Sequence, residues 1–168
     1  MLQDRQAQFH FDSDYNKGSN QVELALTQRL AGDAVGARVT AQQARNLLEQ
    51  VQKDQPNDSY LLARLSQAYA VLGEKDLALK AAERALMLDR AKDLLLARTN
   101  QEGLAIIQTM VGENSRAISI LTELLQKPYW SIFHGPPPIT PALLRLDPFW
   151  DPLRGDPAFQ KLCEEKQP

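Results

Sequence analysis

Between residues 20 and 127 apolar residues recur every three or four positions, and none of the stretch alternates in twos. Spacing of three and four lines up side chains on one face of an α-helix, whereas alternation marks a half-buried strand. In "LLARLSQAYAVLGEKDLALKAAERALMLD" the residues Leu62, Leu65, Tyr69 and Leu72 make one stripe, and Ala78, Ala81, Ala82, Ala85 and Leu88 make another. Gly73 and the charged residues after it separate the two, and glycine suits the left-handed position just past a helix end. The pattern predicts two antiparallel helices joined by a tight turn.

That unit recurs. "LAGDAVGA" (30–37), "VLGEKDLA" (71–78) and "MVGENSRA" (110–117) share an apolar residue, a glycine, an acidic residue, and an alanine five positions after the glycine. Repetition near forty residues with two helices per unit points to an all-α chain built as an α-solenoid. Helix breaks are expected near Gly32, Asn57, Gly73, Gly112 and Pro128. In the first unit the stripe Ala34, Ala37, Ala41, Ala44, Leu48 and Val51 carries the second helix to about Lys53, where "DQPND" stops it. Such a stripe is either the packing face of a long helix or a homodimer seam; packing is the commoner use. The expected layout is an N-terminal segment at 1–19 that would close a preceding repeat, repeats at about 20–56, 57–91 and 93–127, a proline- and aromatic-rich loop at 128–141, and helices at 142–168.

The middle unit, residues 59–89, resembles a tetratricopeptide repeat. Leu62 stands at the usual tryptophan position, followed by Leu65, the small Ser66, Tyr69, Gly73, Ala78, Ala82 and Ala85. Small residues at 78 and 85 let two helices approach closely, while Leu65 and Tyr69 fill the space between them. The first repeat keeps Leu24, Ala25, Gly32, Ala37 and Ala44, and the third keeps Leu104, Ala105, Gly112 and Ala117; Gln28 and Gln108 replace the tyrosine. The resemblance implies a right-handed superhelix with a concave face lined by the first helix of each repeat. On this chain that face would hold Val22, Leu26 and Arg29, then Tyr60, Ala63, Arg64 and Gln67, then Glu102, Ile106 and Thr109. Chaperone-type members read a peptide carboxylate with lysine and asparagine at such positions. Here those places hold Val22, Leu26, Ala63, Gln67, Glu102 and Ile106, so that activity does not carry over.

The tail "DPFWDPLRGDPAF" has Asp-Pro at Asp147, Asp151 and Asp156. Aspartate is a favoured helix N-cap and proline a favoured first helical residue, so each pair reads as a helix start. A metal site would need loop spacing and further ligands that are missing. Short helices with Leu143, Leu144, Leu146, Phe149, Trp150, Leu153, Phe159 and Leu162 buried would then cap the open end of the last repeat. This tail also resembles the ending of tetratricopeptide tails in large bacterial multidomain signalling proteins, where a kinase, a cyclase or a winged-helix regulator precedes the repeats.

Charge and composition narrow the function. The chain has 168 residues, 43% hydrophobic and 24% charged, enough for one domain with a substantial core. A net charge of −2 excludes the basic surplus of a nucleic-acid partner. No run approaches the roughly 18 apolar residues of a membrane span. The polar N-terminus is neither a signal peptide nor a transit sequence. A lone Cys163 permits no internal disulfide and fits a reducing, cytoplasmic setting. No phosphate loop, nucleophile elbow or metal-ligand spacing is present, His10 and His134 lack partners nearby in sequence, and Cys163 reads as a small buried hydrophobe. The loop "KPYWSIFHGPPPITP" is either a docking peptide or a crossing pinned by its aromatic residues. No enzyme, cofactor or metal is expected. The expected function is a protein-interaction module taking a peptide or helix of a partner. The alternative is a structural or self-associating element whose groove is filled by its own residues 1–19 or 128–138.

Overall fold

The computed structural model describes residues 13–91, 94–126 and 139–164, with residues 94–96 as backbone alone. Their regular structure is helical: α1 (Asp14–Leu30), α2 (Ala34–Asp54), α3 (Ser59–Leu72), α4 (Lys75–Arg90), α5 (Leu94–Met110), α6 (Asn114–Leu125), α7 (Pro141–Leu146), a 3-10 helix (Pro148–Leu153) and α8 (Pro157–Glu164).

Three glycines make the turns. Gly32, Gly73 and Gly112 adopt φ of +84°, +82° and +81°, the left-handed conformation that costs residues with a Cβ about 1–2 kcal/mol. Each turn closes in the same way. The residue after the glycine donates its N–H to a carbonyl five positions back: Asp33 to Gln28 at 2.9 Å, Glu74 to Tyr69 at 2.9 Å and Glu113 to Gln108 at 2.7 Å. These bonds satisfy carbonyls that the helix end would leave unpaired.

The starts are set by side chains. Ser13, Asp33 and Asp58 accept hydrogen bonds from Asn16, Gly36 and Leu61 N–H, at 3.2, 2.8 and 2.9 Å. Glu74 and Glu113 hold the same place before α4 and α6 but make no cap bond. They tie neighbouring layers instead: Glu74 pairs with Arg45 of α2 at 2.7 Å, and Glu113 pairs with Lys75 at the start of α4.

α1 begins at Asp14, inside the stretch set apart as an N-terminal segment. Glycine in a helix interior usually costs stability, yet Gly18 is buried there for a reason. A Cβ built on it would lie 2.7 Å from Leu48 Cγ, so the missing side chain lets α1 approach α2. Each of α2, α4 and α6 packs on the helix before it, and α1, α3 and α5 also touch in sequence. The second helices α2, α4 and α6 have no extensive contact with one another. The predicted stripes turn inward, with Val51, Leu72 and Leu88 half-buried at their ends and Ala34 exposed at the α2 start.

Two hydrophobic clusters result. The first runs through α1–α5 around Leu48, Leu61, Leu65 and Ile107. The second gathers Ala105 and Ile106 of α5 and Leu121 and Leu124 of α6 under Ile139, Leu144, Trp150, Leu153, Phe159 and Leu162 of the tail. Trp150 and Phe159 are almost fully buried, and each ring contributes about 4–6 kcal/mol of transfer free energy before ordering costs. Arg154 clasps the tail, donating to the Asp151 carboxylate at 2.6 Å and to the carbonyls of Arg145 and Asp147.

One of the three Asp-Pro pairs is not the helix start that its sequence predicts. Asp147 accepts from Phe149 N–H at 2.9 Å and Asp156 from Ala158 N–H at 2.8 Å, as caps do. Asp151 lies inside the 3-10 helix, which continues through Pro152, and its carboxylate takes Arg154 instead. Leu146 is 77% exposed, and Leu143 and Phe149 are half-buried, so the covering surface is narrower than the apolar count implies.

Gly73 and Gly155 both have open space where a Cβ would be built, yet only Gly73 has positive φ. Gly73→Ala is expected to lower unfolding stability by about 1–2 kcal/mol, and Gly155→Ala to change it by less than about 0.5 kcal/mol. Denaturant titration of the two variants checks this; equal losses would show that the left-handed turn is not the costly feature.

Candidate functional site

The first helices lie side by side, and that adjacency decides what their predicted groove positions can do. Val22 and Leu26 are buried in the first cluster between α1 and its neighbours. Ile106 is buried in the second cluster, which the tail completes. Gln67, Glu102 and Thr109 are buried polar residues, Thr109 spending its hydroxyl on the Ala105 carbonyl at 2.9 Å. Side chains this deeply buried offer a partner little surface, so these six expected groove positions serve mainly in helix packing. Arg29 and Tyr60 remain exposed, while Ala63 and Arg64 are half-buried. Arg64 is already engaged: its guanidinium reaches Glu23 of α1 at 2.8 Å and Gln67 at 3.3 Å.

A larger hollow lies beside the second helices. Because α2 and α4 make no extensive contact, a groove of about 600 Å³ separates the end of α2 from α4. Its floor is Leu62 and Tyr69 of α3 with Ala81 of α4, all buried. Its rim holds Gln52 and Pro56 on one side and Leu77, Lys80, Glu83, Arg84 and Met87 on the other. Leu77 is 48% and Met87 61% exposed, large apolar side chains left at the edge of an apolar floor. Clefts of this kind, apolar with a few polar groups at the edge, are the usual form of binding sites. Following only the alanine stripe of α4 misses these residues. The signal is present in the sequence, since Leu77, Lys80, Arg84 and Met87 follow each other at helical spacing on the face beside that stripe.

Tyr69 anchors the floor. Its hydroxyl donates to Glu49 Oε1 at 2.9 Å, and Arg45 lies 3.9 Å from the same oxygen while also holding Glu74. Burial, and after it the bond to Glu49, push the tyrosine hydroxyl well above its ordinary range. Cys163 is buried in the second cluster, and burial likewise pushes its thiol up, away from a reactive thiolate. Among the described residues no group of His, Cys, Asp or Glu is placed to hold a metal ion, and no helix is long and apolar enough to cross a membrane. His10, His134 and the loop residues 128–138 lie outside the described residues.

No family model, curated protein or solved structure matches the chain.

The raised pKa of Tyr69 carries a pH signature. A folded-state value above the unfolded one, near 10, means that the stabilisation is whole below about pH 10 and fades as pH rises further. Tyr69→Phe is expected to cost about 0.5–1.5 kcal/mol at pH 8. The gap between wild type and variant should shrink at pH 11. Urea unfolding at the two pH values measures it, and a constant gap would show that neither burial nor the Glu49 bond holds the hydroxyl protonated above its ordinary range.

Proposed function

We propose that the chain is a tetratricopeptide-type α-solenoid that serves as a protein-interaction module, docking a peptide or helix of a partner. Three features support the repeat reading: one glycine turn repeated three times in the same geometry, first helices touching in succession, and a tail that covers the last pair. The observation that carries the function is the groove between α2 and α4, with its buried apolar floor and its exposed Leu77 and Met87. An exposed apolar patch rimmed by polar residues is the mark of an interaction surface. The site moves from the first-helix face to the second-helix face, and Arg29, Tyr60, Ala63 and Arg64 remain as accessible first-helix positions. The likeness of the tail supports a place in a larger bacterial cytoplasmic regulatory protein, with the module as its recognition part and without catalysis of its own.

Self-association is the second reading, and Val35 and Val39 favour it: one turn apart on α2, they are 77% and 55% exposed. Its mark would be a mass that rises with concentration.

The test compares wild type with the Leu77→Asp, Met87→Asp double variant in affinity capture from lysate of the source cells. Both residues are on the surface, so melting should be unchanged within about 0.5 kcal/mol. A partner held by wild type and lost by the variant is the expected result. Identical capture by both proteins, or none above bare resin, contradicts the proposal.

A further inference from the structure

The charges around the groove say more about its occupant than its shape does. Among the described residues three charged ones line it: Lys80, Glu83 and Arg84. Glu83 is occupied, its carboxylate held by Arg116 of α6 at 3.0 Å. Among the described residues Arg84 meets a neutral group, the side-chain carbonyl of Asn57 at 2.8 Å, and no carboxylate. Lys80 is exposed and meets no carboxylate among the described residues. In a chain of net charge −2, the unpaired charge at this apolar groove is therefore positive among the described residues.

Resting on the interaction reading above, we propose that the groove takes an acidic amphipathic helix of a partner protein. Its apolar face would lie on Leu62 and Tyr69 between Leu77 and Met87, and its carboxylates would meet Lys80 and Arg84. Leu77 and Met87 are ten residues apart on α4, so the rim is about 15 Å long and matches roughly ten residues of partner helix. Such a helix anchors through apolar residues at i, i+3 or i+4, and i+7, and helices on either side already form the trough. Charge then selects which amphipathic helix enters, through complementarity that speeds encounter and rejects wrong partners. The chain's own residues 127–138, "KPYWSIFHGPPP", carry no carboxylate, so the same rule does not select them.

The probe is a helical peptide of about fourteen residues with leucines at i, i+3 and i+7 and glutamates flanking them; its counterpart has lysine for every glutamate. Binding to the full chain is followed by calorimetry at low and high salt. The acidic peptide should bind about tenfold tighter than the lysine peptide at about 50 mM salt, and the margin should shrink at about 500 mM as screening sets in. Lys80→Glu with Arg84→Glu, both on the surface, should reverse the order while leaving the melting temperature unchanged. Equal binding of the two peptides overturns the proposal, as does tighter binding of the lysine peptide. Failure of both to bind overturns it too, and is what a groove filled by residues 127–138 would give. A mass that doubles in wild type but not in Leu77→Asp would assign the groove to a second copy and overturn it as well. Where these fail but capture still depends on Leu77 and Met87, only the acidic class is lost. Where capture fails as well, the interaction reading goes with it.

Discussion

The left-handed turn at Gly32, Gly73 and Gly112 is the constraint on which the other features of the stack rest. It reverses the chain within two or three residues, so each second helix must fold back onto the helix before it. The turn also places an acidic residue directly after the glycine, where it caps the next helix or reaches across layers. Asp33 does the first, and Glu74 and Glu113 do the second. Half-exposed ion pairs of this kind contribute little stability each, on the order of 0–1 kcal/mol. Their use is to hold the register in which one pair meets the next. Apolar burial between layers stabilises the stack far more, and it exists only because the turns bring the stripes together.

From that register follows the asymmetry between the two faces of the stack. First helices touch each other and bury Val22, Leu26, Leu61 and Leu65 between them. Second helices stand apart, because α2 runs on to Asp54 and the turn through Pro56 and Asp58 intervenes before α3. The gap lays open the floor formed by Leu62, Tyr69 and Ala81. Closing it would need bulk at the α4 positions that hold Lys80 and Arg84, long side chains that remain exposed at the rim. The groove is thus a consequence of helix length and side-chain choice, and needs no strained element to keep it open.

Much of this is legible in the sequence and some of it is not. The helical period, the long second helix and the glycine turns can all be read, because each rests on a local preference carried by one or a few residues. Apolar content alone cannot separate Leu146, which faces water, from Leu144, which does not; rotation about a six-residue helix decides it. Gly18 gives no local sign of its role, because its reason for being small is Leu48, thirty residues away. Asp151 has the same Asp-Pro signature as its neighbours, but the 3-10 helix passes through it and hands its carboxylate to Arg154. The groove face is only half legible: the helical spacing of Leu77 and Met87 marks an apolar edge on α4, but not whether a neighbouring helix covers it. Position relative to a glycine turn tells which helix of a pair is first, but the contacts between helix pairs decide which face stays open.

Each helix pair is held by the layer above it, so the tail belongs to the fold of α5 and α6. Stacked units of this kind open together when they share a buried surface. Native-state hydrogen exchange of the amides in α6, the 3-10 helix and α8 reads that dependence residue by residue. The amides of Trp150, Asp151 and Leu153 and of Phe159–Cys163 should open with the same free energy and denaturant dependence as those of Ala117–Leu124. Tail amides exchanging near the unfolded rate, while α6 stays as protected as α3, would contradict it.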